Sequence, residues 1–161
     1  MRMIRCHVKR KRLYMNRLSK SVKILLTGLP GCGKTTAIMK IIASLECEKV
    51  AGFYTQEIRE NNNRKDFRFK RLDGTTGILA HVDIKGRFKV GKYGVDVTDF
   101  EKSVVPVLDI ERTDAELFVI DEIGKMECFS GKFVAVMRRL LPPTSPYWPR
   151  CREKVPALSP K

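Results

Sequence analysis

Short apolar runs that end in turns predict an α/β core. Residues 22–27 form one such run, typical of a buried strand, and lead into a glycine-rich turn. From Lys34 to about Cys47, apolar residues recur at helical spacing, and a second apolar run follows at residues 50–54. A strand, a loop, a helix and a strand in this order form a βαβ unit, which implies a parallel sheet.

Residues 57–97 have a different pattern. Short segments with alternating apolar and polar residues are separated by glycine turns at residues 73–74 and 91–92. This arrangement is typical of hairpins with short connections. It predicts an antiparallel β segment inserted into the α/β core.

The second half of the chain returns to longer elements. The pattern predicts a helix from Phe100 to about Ile110, with Pro106 weakening its middle. A buried strand is predicted at residues 117–121 and an amphipathic helix at residues 131–141. Six of the eight prolines lie at 142–160, which predicts an irregular tail.

The net charge of +14 comes mainly from the two ends of the chain. Residues 1–20 carry +8 and residues 142–161 carry +3, so residues 21–141 carry only +3. We therefore predict one domain at residues 21–141 between a disordered basic tail and the Pro-rich tail. Because this domain is nearly neutral, we do not expect nucleic-acid binding as its main function.

The remaining composition favours a cytoplasmic protein without a membrane partner. No apolar run approaches the roughly 20 residues that cross a bilayer. The five cysteines contain no C-x-x-C pair, so neither a disulfide framework nor a zinc site is predicted. We expect a monomer in a reducing compartment.

Residues 28–35 match the phosphate-binding pattern G-x-x-x-x-G-K-[ST] completely. A strand precedes the match and a helix follows, so loop N–H groups and the positive end of the helix dipole can hold phosphates. The candidate nucleotide-binding residues are Gly28, Leu29, Pro30, Gly31, Cys32, Gly33, Lys34, Thr35 and Thr36. We expect Lys34 to reach the β- and γ-phosphates and the Thr35 hydroxyl to ligate Mg²⁺.

The apolar run at residues 117–120 ends in two acids. Asp121 is placed at the carboxyl end of the predicted strand, where α/β folds bind ligands, and is a candidate Mg²⁺ ligand. Glu122 is the candidate residue to orient or deprotonate an attacking water. Lys125 is either a cation that neutralises charge on the transferred phosphoryl group or a solvated loop lysine.

These residues resemble the small cancer-related nucleoside-triphosphatase family of P-loop enzymes. The resemblance covers about residues 22–141, and its most specific stretches are residues 52–55 and 121–127. It implies a RecA-like, mainly parallel α/β fold and Mg²⁺-dependent hydrolysis of ATP, GTP, CTP and UTP to diphosphate and phosphate. It also makes Arg59 and Lys125 candidate phosphate-contacting or transition-state cations.

The chain departs from this family after the helix at 131–141. The family continues with an apolar strand, which a RecA-like sheet places between the phosphate-loop strand and the Asp121 strand. Residues 142–149 carry four prolines instead and cannot provide a normal hydrogen-bond ladder. Our hypothesis is a truncation or a reading-frame error after Leu141. If the tail is genuine, we expect a core that lacks this central strand.

Two other functions stay open from the sequence. A P-loop kinase would pass the γ-phosphate to a nucleoside or another small acceptor, and it would need an acceptor pocket and usually a lid. No lid is evident, although the segment at 57–97 has room for an acceptor site. A nucleotide-gated binding module would contact RNA or another protein through the basic tails, and the nearly neutral domain argues against it.

Overall fold

The computed structural model describes residues 2–6, 22–29, 31–44, 49–60 and 63–141. The strands are β1 (Arg2–Cys6), β2 (Val22–Leu26), β3 (Val50–Glu60), β4 (Asn63–Arg71), β5 (Thr76–His81), β6 (Lys89–Val90), β7 (Tyr93–Val95) and β8 (Leu117–Asp121). The helices are α1 (Lys34–Ser44), α2 (Val97–Val104) and α3 (Gly131–Leu140), with 3₁₀ turns at Val105–Leu108 and Glu127–Phe129. No helix in these ranges has the length and apolar composition to cross a membrane.

One mixed sheet contains all eight strands in the order β2-β1-β8-β3-β4-β5-β7-β6. Strands β2, β8 and β3 run in the same direction, because β1 is antiparallel to both β2 and β8, and β3 is parallel to β8. The other neighbours are antiparallel. The prediction of a mainly parallel sheet is therefore wrong, since short hairpin connections and β1 make antiparallel pairing dominant.

Strand β1 departs from the prediction of an unstructured basic tail. Its Ile4 is in register with Ile24 of β2 on one side and with Val119 of β8 on the other. Main-chain hydrogen bonds make these pairs, so a basic composition does not prevent them. Strand β1 thereby provides hydrogen-bond partners for one edge of β2 and one edge of β8. The prediction of a core lacking a strand between β2 and β8 is also wrong, because β1 occupies that position. Residues 7–20 and 142–161 lie outside the described residues.

Strand β8 is buried along its whole length and contributes to both faces of the sheet. Leu117 and Val119 pack with Ile38 of α1 on one face. Phe118 and Ile120 belong to the larger core on the other face, which includes α2 and α3. This alternation follows from the two-residue period of a strand, and it makes the sheet the middle of three layers.

Four phenylalanines hold α2 and α3 against the sheet. The Phe100 ring centroid lies 5.4 Å from that of Phe53, 5.4 Å from that of Phe133 and 6.0 Å from that of Phe69, all edge-on. All four side chains are at most 1% exposed. Such aromatic pairs contribute about 0.5–1.5 kcal/mol each beyond the area they bury.

The helix ends are set by local side chains. The Asp96 carboxylate accepts the N–H of Asp99 at 2.8 Å, and α2 begins there, three residues before the predicted start. Pro106 lies in the first positions of a 3₁₀ turn, so the predicted helix at 100–110 consists of two shorter pieces. At α3 the Ser130 hydroxyl accepts the N–H of Phe133 at 2.9 Å.

Strand β3 requires a glycine at position 52. Gly52 has a φ of 134°, a backbone conformation that residues with a Cβ rarely adopt. A Cβ on Gly52 would lie 1.8 Å from the carbonyl oxygen of Val119, far inside van der Waals contact. The absence of a side chain thus permits the close approach of β3 to β8.

The cysteines differ from the prediction at one position. Cys128 is 5% exposed and takes part in a disulfide bond. The number and spacing of the cysteines did not predict this bond, because neither carries information about which thiols meet in space. Cys32 in the glycine-rich loop is a free, exposed thiol.

Candidate active site

The glycine-rich loop connects the carboxyl end of β2 to α1, whose first residue is Lys34. Gly31 and Gly33 have φ angles of 78° and 86°, which glycine adopts without steric cost. The N–H of Cys32 donates to the Leu29 carbonyl at 3.3 Å and tightens the turn. Pro30 lies outside the described residues.

The Lys34 ammonium folds back over this loop. Its Nζ donates to the carbonyl oxygens of Gly28 at 2.9 Å and Leu29 at 2.6 Å, and it lies 3.6 Å from the Cys32 Sγ. Hydrogen bonds from an ammonium to a phosphate are stronger than those to a neutral carbonyl. A phosphate entering the loop would therefore compete well for this group.

The first turn of α1 faces the same loop. Its first helical hydrogen bond runs from the Ala37 N–H to the Gly33 carbonyl at 2.9 Å. The N–H groups of Lys34, Thr35 and Thr36 precede that bond, so they have no acceptor within the helix. Thr35 is half-buried and Thr36 is exposed. Amides at a helix start are a general site for anions.

Asp121 and the glycine-rich loop lie at the same edge of the sheet. Arg2 of β1 is in register with Leu26 at the end of β2 and with Asp121 at the end of β8. The two strand ends are therefore level, and two strand spacings separate them by roughly 9–10 Å. The Asp121 side chain is fully buried. The fold thus brings together the loop and the acid that the sequence singles out.

Glu122 is half-buried next to a second carboxylate, that of Glu127. A Cβ on Gly124 would lie 2.8 Å from both the Glu122 Oε1 and the Glu127 Oε2, so these oxygens are at most twice that distance apart. Glu127 is 3% exposed, and it accepts the Gly124 N–H at 3.0 Å and the Thr55 hydroxyl at 3.5 Å. Burial, and to a lesser extent the Glu122 charge, raises the pKa of Glu127 to about 7.

The two candidate cations lie in different places. Lys125 is exposed in the turn that follows Gly124. Arg59 is paired with Glu57, with 2.5 Å between Nε and Oε1, and lies five residues beyond Tyr54, the register partner of Asp121. Five residues of strand span roughly 16 Å. Lys125 thus follows the acidic strand end by four residues, whereas Arg59 lies farther along β3.

The oxygen donors of this edge suit a magnesium ion. Within the described ranges, no cluster of three or more His, Cys, Asp or Glu residues has the arrangement to hold a metal. Mg²⁺ usually keeps several waters and binds through one or two protein oxygens together with substrate phosphates. The Thr35 hydroxyl and the Asp121 carboxylate are donors of this kind, so the residues present fit the ion.

Glu127 and Thr55 are the residues of this region to which sequence reasoning gave no role. Glu127 stands three residues after Gly124, a spacing that lets a side chain accept a nearby N–H. Thr55 follows Tyr54 on a different strand. Its contact with Glu127 depends on the packing of β3 beside the turn, which no local pattern reports.

The sequence is similar to nucleoside-triphosphatases from several organisms. Residues 23–149 match the model of the NTPase family. The chain is 44% identical over 119 residues to the Nucleoside-triphosphatase THEP1 of Thermotoga petrophila, covering 74% of this chain and 65% of that protein. It is 42% identical over 129 residues to the human Cancer-related nucleoside-triphosphatase, covering 73% of this chain and 68% of that protein. The chain thus spans about two thirds of the length of the curated relatives it matches.

Two solved structures share the fold. The crystal structure of THEP1 from Aquifex aeolicus aligns with a TM-score of 0.56 at 36% identity, covering 69% of this chain and 64% of that one. The solution structure of a human cancer-related nucleoside triphosphatase aligns with a TM-score of 0.54 at 39% identity, covering 70% and 65%.

Proposed function

Because this chain belongs to the NTPase family, we propose that it binds nucleoside triphosphates at the glycine-rich loop and hydrolyses them to nucleoside diphosphate and phosphate. One observation carries the proposal: the loop with Lys34 and the buried Asp121 lie at the same sheet edge, one strand apart. The relatives are named for the same activity. Since the chain spans about two thirds of their length, its own turnover is what has to be measured.

The loop binds the phosphates through its main chain. Gly31 and Gly33 turn loop N–H groups inward, and the N-terminus of α1 adds its dipole. Lys34 exchanges its carbonyl partners for the β- and γ-phosphates when the nucleotide enters. Thr36, which is exposed at the helix start, contacts the α-phosphate in this proposal.

Thr35 and Asp121 hold Mg²⁺ in this proposal. Bound there, the ion would act as a Lewis acid that reduces the negative charge on the phosphates. The two elements fix the donor positions, because Thr35 is the second residue of α1 and Asp121 is the last residue of β8.

Glu122 accepts a proton from the attacking water. The water oxygen forms a bond to the γ-phosphorus, the bond from that phosphorus to the β–γ bridging oxygen breaks, and the electron pair stays on the diphosphate. Lys34 meets the negative charge that develops during this step. Lys125 is the second candidate cation, ahead of Arg59, because Arg59 is already paired with Glu57.

We propose broad selectivity for the base, including ATP, GTP, CTP and UTP. The groups with assigned roles act on phosphates, metal or water, so none of them reads a base edge. A kinase would use the same phosphate loop. Phosphate release in the absence of an acceptor separates the two reactions, because only hydrolysis proceeds without one.

The test is phosphate release from the four nucleotides in the presence of Mg²⁺, with no acceptor. We expect Lys34→Ala to lower kcat/KM by about 100-fold or more, equivalent to about 2.7 kcal/mol. Glu122→Gln should lower kcat similarly and keep nucleotide binding. Matched controls are Lys40→Ala, at an exposed position of α1, and Glu111→Gln, at an exposed glutamate. Equal phosphate release from all variants would refute hydrolysis at this site. Formation of nucleoside diphosphate only after a nucleoside is added, without release of free phosphate, would favour the kinase.

A further inference from the structure

A second carboxylate lies beside the proposed base, and none of the roles above uses it. Glu127 is 3% exposed in the 3₁₀ turn that precedes α3. Burying a carboxylate is unfavourable unless hydrogen bonds compensate for lost water. Its side chain has such bonds, one with the segment around Glu122 and one with β3.

The Glu127 carboxylate connects two separate parts of the site. One oxygen accepts the Gly124 N–H at 3.0 Å, which holds the turn after Asp121. The other accepts the Thr55 hydroxyl at 3.5 Å, which ties the same turn to β3. Strand β3 is in turn the parallel neighbour of β8. The turn is thus attached to the sheet at Asp121 and, through Glu127, at Thr55.

Gly124 leaves the space in which the two glutamates meet. A Cβ at this position would lie 2.8 Å from an oxygen of Glu122 and 2.8 Å from an oxygen of Glu127. The Cys128 N–H also donates to the Gly124 carbonyl, at 3.2 Å. The main chain of Gly124 is therefore held on both its N–H and its carbonyl side, one peptide away from Ile123 and two from Glu122.

We propose that Glu127 is a positioning residue for hydrolysis: it fixes the turn at Gly124 and thereby holds the Glu122 carboxylate where it can accept a proton from water. The inference rests on the proposed function, since it concerns the same reaction. Displacing a reacting group by about 1 Å can lower a rate about 100-fold. Loss of Glu127 should therefore act on the chemical step and leave nucleotide binding, at the glycine-rich loop, unchanged.

Three variants test this role in the full chain. Glu127→Ala removes both hydrogen bonds, and we expect kcat to fall about 10- to 100-fold while KM and the Kd of a fluorescent ATP analogue change less than about twofold. In Glu127→Gln the amide oxygen can still accept the Gly124 N–H and the amide group can donate to Thr55, so kcat should stay within about threefold of wild type. Thr55→Val removes one bond without opening a large cavity, and a smaller fall in kcat is expected.

A double-mutant cycle shows whether the effect passes through Glu122. Because Glu127 is assigned no contact with the nucleotide, Glu122→Gln/Glu127→Ala should be no slower than Glu122→Gln alone. Rates are expressed per folded, analogue-binding protein, so that loss of folding does not count as loss of turnover. Glu111→Ala is the matched control at an exposed glutamate.

The outcomes separate this inference from the proposed function. The positioning role would be overturned if both Glu127→Ala and Thr55→Val kept the wild-type kcat. It would also be overturned if the double variant were slower than Glu122→Gln by the full factor that Glu127→Ala causes alone. Either result would leave hydrolysis standing. A matched loss of kcat and analogue affinity would also overturn the positioning role. No phosphate release from the wild-type chain would overturn both.

Discussion

Replacing Glu127 by Gln should make the stability of the protein less dependent on pH. Its carboxyl is fully enclosed, and burial together with the Glu122 charge raises its pKa from 4.5 to about 7. The unfolded chain has the ordinary pKa, because the side chain is then in water. Between pH 4.5 and 7 the unfolded chain has therefore lost a proton that the folded chain keeps.

The direction and the size of the change in stability with pH follow from this difference in bound protons. Since the folded state binds more protons, its free energy of unfolding falls as pH rises. The difference between 4.5 and about 7 corresponds to a loss of about 3 kcal/mol, absent below pH 4.5 and complete above pH 7. Gln is neutral at every pH and retains the Gly124 hydrogen bond, so the variant lacks this loss.

The assay is urea denaturation of wild type and Glu127→Gln from pH 4.5 to 8, without nucleotide or divalent metal. Relative to wild type, the variant should gain about 3 kcal/mol across this range, equivalent to roughly 6–12 °C in Tm for a chain of this size. Glu111→Gln, at an exposed position, should show no such trend. A difference between wild type and Glu127→Gln that is constant from pH 4.5 to 8 would refute the reasoning.

Two further predictions concern the scaffold. Gly52→Ala would place a Cβ 1.8 Å from the Val119 carbonyl oxygen, so we expect a loss of more than about 3 kcal/mol in urea denaturation, or no folded protein. Gly86→Ala is its control, since no atom lies within 4 Å of a Cβ there, and an equal loss in both variants would contradict the steric explanation. Ser130→Ala removes the hydroxyl that caps α3 at the Phe133 N–H and should cost about 1–2 kcal/mol by the same method. An unchanged urea midpoint would show that another group caps the helix.

The elements with local signals could be predicted from the sequence. Strand β2, the start of α1, strand β8 and helix α3 have bounds within a few residues of those predicted. Each depends on a run or a repeat of apolar residues that lies entirely inside the element. The antiparallel strands between β3 and α2 likewise follow their glycine turns, although β3 continues from the core into this segment as one strand.

The features that depend on distant partners could not be predicted. Strand β1 pairs with strands about 20 and 115 residues away, and its basic residues resemble a solvated tail. The burial of Glu127 is similar, since Thr55 lies 72 residues before it. In both cases packing between elements that are distant in sequence determines the structure, and the local composition does not predict that packing.

In the proposed function, strand β1 also links the affinity for nucleotide to the order of residues Arg2–Cys6. The sheet ends at β2, whose single neighbouring strand in the described part is β1, joined to it through five residue pairs. A triphosphate that reaches from the loop to Asp121 would clamp β1 between the two strands that flank it. Closure of β1 and retention of ligand then favour each other by the same factor. A fusion or a cleavage that weakens the pairing of Arg2–Cys6 would accordingly increase the dissociation rate of a ligand from the glycine-rich loop, more than twenty residues away.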